Sequence, residues 1–226
     1  MVSTTTLDFV LDAPWCRALT PEQAARVRDD LRERHVNKGG SICHVGAQVQ
    51  YWKGVVAGLV KMSVVSSGGR MSTFTGLAPG AWFGEGPVLR SDTWDFDGVA
   101  MRDTHIAMLP RTTFQWLLDG SLPFNRYIVT QLSERLAQCF SVIEAERLEV
   151  AETRVARCLA WLFNPVLYPG VGSRIELSQQ EIGYLAGVSR QRVNRALRIM
   201  EEAGLLDVSY GAVVVRDLAG LQHFRA

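Results

Sequence analysis

Apolar and polar residues form short alternating segments between residues 41 and 109. Residues 55–65 and 71–77 are rich in β-forming side chains, and Ser66-Ser67-Gly68-Gly69 separates them. Pro79-Gly80 marks a further turn. Short strands with turn signals at this spacing predict a β-sandwich or a jelly-roll β-barrel.

A helix is predicted just before this β-rich segment. Thr20-Pro21-Glu22-Gln23 combines an N-cap, a proline at the first helical position and a capping-box glutamine. We expect the helix to continue to about Arg34, with Ala24, Val27 and Leu31 on its buried side.

A second, much longer helix is predicted after the β-rich segment. Apolar residues recur there at spacings of three and four, at Val129, Leu132, Leu136, Cys139 and Ile143. This heptad seam favours pairing with the same helix of a second subunit, and the alternative is a helix lying on its own β domain. Glu146 interrupts the seam, and a hinge is expected over residues 148–152. A further helix over residues 151–163 should end before Asn164-Pro165, because a residue before proline resists helical geometry.

Two consecutive helices with a tight turn are predicted near the C-terminal end. Ser178 and Glu181 form a capping box, Gly187 supplies the turn, and Ser189 caps the second helix. Small residues at Gly183 and Ala186 allow the helices to cross closely. The inward positions are Ile182, Leu185 and Ala186 on the first helix, and Val193, Ala196, Leu197 and Met200 on the second. Residues 205–208 and 212–215 then predict a β-hairpin, so the whole is a winged helix-turn-helix.

Charge adds a candidate chemistry to the second of these helices. The net charge of the chain is only +1, but the helix carries Arg190, Arg192, Arg195 and Arg198. Such a stripe suits contact with DNA, and the helix would enter the major groove by its N-terminal turn. We expect base contacts from Arg190, Gln191, Asn194 and Arg195, and phosphate contacts from Arg192, Arg198 and Ser189. Ser178 completes the predicted DNA-binding set.

Length and composition fit a protein of two domains. The chain has 226 residues, of which 47% are hydrophobic, so it can form more than one core. Its apolar runs are shorter than the roughly 20 residues that span a bilayer, and its first ten residues do not resemble a secretory signal. We therefore expect a cytoplasmic protein without membrane contact.

The order of these parts resembles the cyclic-AMP receptor/fumarate-nitrate reductase regulator (CRP/FNR) family over nearly the whole chain. The similarity is most specific over residues 177–195, LSQQEIGYLAGVSRQRVNR, and Phe83-Gly84-Glu85 looks like the phosphate-loop motif of that family. It implies an α+β fold: a jelly-roll β-barrel effector domain (1–120), a dimerisation helix (121–150) and a winged helix-turn-helix (151–226). It also implies a homodimer on a palindromic operator, an effector between barrel and long helix, and RNA polymerase as a partner.

Departures from the family change the expected effector. Relatives that bind cyclic AMP carry an arginine and a hydroxyl residue about ten positions after the Gly-Glu pair. Here residues 92–97 offer three carboxylates and no arginine, which would repel a phosphate. The pair that holds adenine in the long helix is replaced by Cys139-Phe140. Cyclic AMP is therefore not the expected effector, and the predicted pocket is lined by Gly84, Glu85, Trp94, Asp95, Phe96, Cys139 and Phe140.

Two structural alternatives remain open for this region. Trp94, Phe96, Cys139 and Phe140 could simply fill the core of the barrel. Residues 84–87 are expected to form a tight turn and not a nucleotide phosphate loop, because no Gly-Lys-Ser/Thr follows. A further departure is Gln191, which stands where the family has glutamate, so the operator should differ at that base pair.

The sequence contains no clear motif for a metal site, a haem site or a catalytic site. The cysteines Cys16, Cys43, Cys139 and Cys158 and the histidines His35, His44, His105 and His223 are scattered, so the sequence predicts no metal site and no haem. No Gly-x-Ser-x-Gly motif is present, and we expect no enzyme. A DNA-binding regulator without an effector and a haem- or redox-sensing member of the same family stay open as alternatives.

Overall fold

The chain is described from a computed structural model. It covers residues 2–65, 68–69, 71–90, 92–148, 150–209 and 211–225, with the backbone alone at residues 71 and 146–148. The described residues form an N-terminal β domain with flanking helices, one long helix, and a C-terminal domain of helices and a small sheet. No helix in the described part of the chain has the length and apolar character needed to cross a membrane.

Three short helices precede the sheets: α1 (Thr4–Asp12), α2 (Pro14–Arg17) and α3 (Pro21–Asp30). The predicted capping box of Thr20 and Gln23 at the start of α3 is confirmed. The predicted end of this helix near Arg34 is wrong, because Leu31 is extended and residues 32–36 form a strand. Pairing with a strand that lies far along the chain overrides the local helical pattern.

The β domain contains two four-stranded antiparallel sheets. The strands are β1 (Arg32–Val36), β2 (Ser41–Cys43), β3 (Tyr51–Ala57), β4 (Val60–Val65), β5 (Met71–Leu77), β6 (Trp82–Phe83), β7 (Asp97–Ala100) and β8 (Thr104–Pro110), with the short helix α4 (Glu85–Arg90) after β6. Their order is β1-β8-β3-β6 in one sheet and β2-β7-β4-β5 in the other. The predicted α+β fold with a jelly-roll domain is confirmed, although the two sheets do not close into one barrel.

One predicted strand is divided between the two sheets. Residues 55–65 were expected to be continuous, but Gly58 has φ +101° and the chain leaves β3 there before it enters β4. A Cβ atom at Gly58 would lie 2.5 Å from Thr104 Oγ1, so the turn has no room for a larger residue. The predicted strand over residues 71–77 is confirmed, whereas Ser66 and Ser67 of the predicted turn lie outside the described residues.

A cluster of aromatic rings joins the N-terminal helices to the sheet and to the long helix. Trp82 lies 5.0 Å from Trp15 and 4.3 Å from Trp52, measured between ring centroids, and all three are buried. Phe114 and Phe124 complete the cluster from the helices that follow β8. Aromatic pairs of this kind contribute about 0.5–1.5 kcal/mol each beyond the area that they bury.

The long helix follows directly on the β domain. The segment contains α5 (Arg111–Gly120), α6 (Leu122–Leu148) and α7 (Ala151–Leu162). The predicted long helix is therefore confirmed as α6, which is 27 residues long. The predicted hinge coincides with the end of α6 and the start of α7, while the side chain of Glu146 lies outside the described residues.

The C-terminal domain combines helices with a three-stranded antiparallel sheet of order β10-β11-β9. The elements are β9 (Arg174–Glu176), α8 (Gln179–Ala186), α9 (Arg190–Glu202), β10 (Leu206–Ser209), β11 (Ala212–Val215) and α10 (Leu218–His223). The predicted winged helix-turn-helix is confirmed. The strand β9, which the sequence did not indicate, extends the hairpin by pairing Ile175 with Val213.

Candidate nucleic-acid interface and effector site

The turn between α8 and α9 is built by local sequence signals. The Ser178 hydroxyl accepts from the amide of Glu181, whose carboxylate accepts from the amide of Ser178. Gly187 ends α8 in the left-handed conformation, with φ +64°. A Cβ atom at Gly183 would lie 2.8 Å from the carbonyl oxygen of Val188, so only glycine permits this close approach of helix and turn.

The helix α9 has one buried face and one exposed basic face. Its inward residues are buried as predicted: Val193, Ala196, Leu197 and Met200. Ser189 caps the helix by accepting from the amide of Arg192. Gln191 is exposed and Asn194 is half-buried. The four arginines of the outer face are all exposed: Arg190, Arg192, Arg195 and Arg198. The predicted DNA-binding residues of α9 therefore lie on one accessible helix surface.

Besides Ser189, the predicted DNA-binding residues Ser178 and Arg195 also make contacts within the chain. The Ser178 hydroxyl is part of the capping box of α8, so its first role is to hold the helix start. Arg195 Nε lies 3.3 Å from Glu152 Oε1 on α7, although three-quarters of the arginine side chain is exposed. Only 13% of the Glu152 side chain is exposed, so an Arg195 that moves to DNA leaves a largely buried carboxylate without this partner.

Polar contacts connect α8 to the β domain and to α7. Arg102, in the turn between β7 and β8, donates to Glu181 Oε1 at 2.7 Å and to the carbonyl of Glu176 at 2.9 Å. On α7, Arg154 donates to the carbonyl of Ala186 at 3.0 Å. These contacts connect both ends of α8 to elements outside the helix-turn-helix, and sequence reasoning gave no signal for them.

The first part of the predicted effector pocket is assembled on the β domain. Gly84, with φ +91°, lies between β6 and the short helix α4, and a Cβ atom there would lie 2.5 Å from the ring of Trp94. Glu85, Trp94 and Phe96 are buried near this turn. The expected simple tight turn over residues 84–87 is wrong, because a strand leads directly into a helix here.

The remaining predicted pocket residues are not brought to this place. Asp95 is exposed and forms an ion pair with Arg90, so a guanidinium does lie beside these carboxylates. Cys139 and Phe140 are exposed on the side of α6 that points away from the β domain. Consecutive residues of a helix point about 100° apart, so neighbouring side chains do not face the same way. Here Gln138, and not Cys139 or Phe140, faces inward and is buried.

Arg135 of α6 forms the centre of the inward face. It lies 3.6 Å from Glu85 Oε1 and donates to the carbonyl of Trp82 at 3.1 Å and to the hydroxyl of Tyr168 at 3.4 Å. Burial by itself would lower the pKa of Arg135, but Tyr168 and Glu85 outweigh it and the pKa is raised. Arg135 therefore remains charged inside the protein and joins α6 to the β domain.

The polar network around Arg135 reaches the C-terminal domain. Gln138 Nε2 donates to Thr75 Oγ1 on β5 at 3.1 Å, and Tyr168 donates to the carbonyl of Gly76 at 2.8 Å. Within the described part of the chain, Glu85 Oε2 and the buried Gln131 Oε1 have no hydrogen-bond partner. Two buried acceptors without donors are costly, and a ligand with donor groups would satisfy them.

The opposite side of α6 is apolar and exposed. The residues of the predicted seam are all accessible: Val129, Leu132, Leu136, Cys139 and Ile143. More than half of the side chain of Val129 and of Leu136 is exposed, and Phe140 is exposed beside them. A continuous apolar stripe of this size on a helix is typical of a surface that a second protein covers.

Three of the four thiols are shielded from reaction. Burial raises the pKa of Cys16 and of Cys43 to about 11 and that of Cys158 to about 12. Because the thiolate is the reactive form, burial makes these three thiols less reactive than a free cysteine at neutral pH. Cys139 is exposed on the seam.

Two family models match the chain. The cyclic nucleotide-binding domain matches residues 33–121, and the Crp-like helix-turn-helix domain matches residues 153–224. Together they cover well over half of the chain and join the β domain to the DNA-binding motif in the order described above.

Curated relatives match over most of their length. The chain is 28% identical over 210 residues to the cyclic AMP receptor protein of Thermus thermophilus, covering 93% of this chain and 95% of that protein. It is 26% identical over 180 residues to the cAMP-activated global transcriptional regulator CRP of Haemophilus influenzae, covering 77% and 80%.

Solved structures share the fold. FixK2 from Bradyrhizobium japonicum superposes with a TM-score of 0.68 over 87% of this chain and 98% of that chain, at 21% identity. The catabolite activator protein of Thermus thermophilus gives a TM-score of 0.51 at 27% identity, over 92% and 98%.

Proposed function

This chain belongs to the CRP/FNR family of transcription regulators, and from that premise we propose that it binds a palindromic operator as a homodimer. The observation that carries the proposal is the exposed basic face of α9, which a capped turn and a buried apolar face hold in a fixed position. A rigid helix with arginines at its N-terminal turn fits the major groove. RNA polymerase would be the partner through which operator binding changes transcription.

The proposal assigns base contacts to the first turns of α9. Arg190 and Arg195 would read guanine through O6 and N7, and Gln191 and Asn194 would read adenine through N6 and N7. Arg192, Arg198 and Ser189 would contact phosphates and fix the position of the helix. Because Gln191 stands where the family has glutamate, we expect adenine where relatives accept from cytosine.

The dimer would form along α6. Its exposed apolar stripe is long enough to pair with the same helix of a second copy, and its other side is already used by the β domain. Pairing would place two α9 helices on one side of the assembly. We expect half-sites about one DNA turn apart, the spacing typical of helix-turn-helix dimers.

We further propose control by a small effector other than cyclic AMP, bound between the β domain and α6 near Glu85. The match to a cyclic nucleotide-binding domain and the unsatisfied acceptors of Glu85 and Gln131 support a ligand there. The position expected to neutralise a cyclic phosphate holds Asp95, whose partner Arg90 is already engaged. Asp95, Cys139 and Phe140 are not part of this proposed pocket.

A regulator that needs no effector is the second candidate. It is favoured by Arg135, whose own guanidinium lies between Glu85, the carbonyl of Trp82 and Tyr168. In this version a side chain of the protein itself makes the connection between β domain and long helix that a ligand would otherwise make.

The proposed role of Arg195 is tested by Arg195→Ala. The variant should bind the operator more weakly by roughly 1–3 kcal/mol, or about 5- to 150-fold, and should lose its preference at one base pair. Arg195→Lys should keep much of the affinity but lose the preference, because a lysine cannot form the bidentate contact. The measurement is fluorescence anisotropy with operators substituted at each position.

Arg192→Ala is the matched comparison, since it lies on the same helix and is assigned to a phosphate. It should weaken binding to every sequence alike and reduce the salt dependence by about one counterion. Unchanged affinity and base preference in Arg195→Ala would remove Arg195 from the reading surface.

A further inference from the structure

Two histidines and a glutamate meet on β1, the edge strand of the first sheet, and on its neighbour β8. Glu33 and His35 lie on β1 two residues apart, so both side chains project from the same face. His105 on β8 pairs directly with His35 in the antiparallel register. Glu33 and His105 are 72 residues apart in sequence, and only strand pairing brings them together.

The three side chains are close enough to share one ion. His105 Nε2 lies 2.9 Å from Glu33 Oε2, and the rings of His35 and His105 stack with centroids 3.9 Å apart. One potential ligand atom from each side chain lies within 4.8 Å of the other two. To bind a common metal at the usual distances of about 2.0–2.2 Å, the two stacked imidazole rings would have to turn out of their parallel arrangement so that one nitrogen of each points at the ion.

The cluster is open on one side and covered on the other. His35 is exposed, whereas Glu33 and His105 are partly buried beneath α1. From α1, Thr6 Oγ1 lies 2.9 Å from His105 Nε2, and both Ser3 and Thr6 donate to Glu33. An ion can therefore enter past His35, and the hydroxyl of Thr6 or a water molecule can take a fourth position.

The charge of the cluster suits a cation. Glu33 contributes a carboxylate, and the hydroxyls of Ser3 and Thr6 donate to it. Arg32 and Arg34 alternate with Glu33 along β1 and so project from the opposite face of the strand. Arg34 donates to the carbonyl of Ser41.

We propose that Glu33, His35 and His105 form a site for a divalent transition metal ion of the zinc type. Two imidazoles and one carboxylate with an open position are a ligand set of Zn²⁺, Co²⁺, Ni²⁺ and Fe²⁺, whereas Mg²⁺ and Ca²⁺ prefer oxygen alone. The ion would compete with Ser3 and Thr6 for Glu33. Metal binding would therefore weaken the hydrogen bonds that attach α1 to the β domain. The metal site is distinct from the proposed DNA and effector sites.

The test is titration of the full-length protein with Zn²⁺ by calorimetry, and with Co²⁺ by visible absorption. The wild-type chain should bind one ion per subunit and give the visible bands of Co²⁺ with nitrogen ligands. His35→Ala should lower the affinity by at least about 10-fold, since removing a ligand costs no less than removing its supporting partner. If His35→Ala does not fold, His35→Gln replaces it, because His35 is exposed and glutamine is tolerated on a strand surface.

His44→Ala is the matched control. His44 is exposed and its Nδ1 lies 3.5 Å from Asp97 Oδ1, so it forms a histidine–carboxylate pair without a second histidine. Cys139→Ser controls for the exposed thiol on α6. Both variants should bind the metal as the wild type does. The proposal is overturned if the wild type takes up no stoichiometric ion, if the His35 variant binds equally well, or if either control abolishes binding.

Discussion

Arg135 connects the long helix to two other parts of the molecule. Its guanidinium contacts Glu85 and Trp82 of the β domain and Tyr168 of the segment after α7. Both members of the Arg135–Glu85 pair are buried, with 15% and 7% of their side chains exposed. Breaking such a pair leaves the remaining charge without compensation, and that cost exceeds what the intact pair contributes.

Arg135→Gln should therefore lower the free energy of unfolding by about 3–5 kcal/mol, because Glu85 would remain charged and buried. Urea unfolding at a fixed protein concentration measures this change. The double variant Glu85→Gln with Arg135→Gln should recover part of the loss, since it removes both charges. A loss below about 1 kcal/mol in Arg135→Gln, within the range of an exposed pair, would show that Arg135 does not hold the parts together.

The sequence indicated Glu85 as a site residue but not its partner. Glu85 belongs to a recognisable local motif, whereas Arg135 lies in a helix whose pattern gives no sign of which polar residue faces the β domain. Cys139 and Phe140, which were expected to line the pocket with Glu85, do not face the β domain. They are displaced from the inward-facing Gln138 by about 100° and 200° around the helix. Side-chain direction at single residues depends on tertiary packing that the pattern does not contain.

At the scale of elements, α6 carries two different surfaces. One binds the β domain through Arg135 and Gln138, and the other exposes the apolar seam. A helix that is apolar on its exposed side gains stability only if that side is covered. The proposed dimer requires that a second copy of α6 covers the seam.

Leu136→Glu tests this requirement. A charge in the middle of the seam should convert the dimer to a monomer at micromolar concentration, because an unpaired carboxylate would be buried between the helices. Sedimentation measures the mass, and circular dichroism should show an unchanged fold. Ala137→Glu is the matched control, since Ala137 is exposed one residue further on, about 100° away. A dimer that persists in Leu136→Glu would place the interface elsewhere.

Elements that depend on local signals were predicted correctly, and elements that depend on distant pairing were not. A few neighbouring residues determine the caps at Thr20 and Ser178 and the turn at Gly187, and the structure contains each of them. The strand β1 forms because it pairs with β8, which lies about 70 residues further along the chain. The strand β9 forms because it pairs with β11, which also belongs to the hairpin of β10 and β11. No local pattern at residues 32–36 or 174–176 distinguishes them from helix or loop.

At the scale of the whole molecule, the β domain and the DNA-reading helices are connected at several points. Arg102 contacts Glu181 at the start of α8, and Tyr168 contacts Gly76 on β5. In the proposed regulator, these contacts would carry a change at the β domain to the helix-turn-helix. An effector can control DNA binding only if it binds one of these arrangements better than the other.

The most direct test of the account is selection of random duplex DNA by the purified protein. We predict enrichment of a palindrome whose half-sites contain guanine and adenine and lie about one DNA turn, or roughly 10 base pairs, apart. Selection with cyclic AMP should return the same result as without it, and small molecules from a cell extract should increase the yield if an effector exists. Failure to enrich any palindrome under all three conditions would contradict the proposal that this chain is a dimeric, sequence-specific DNA-binding regulator.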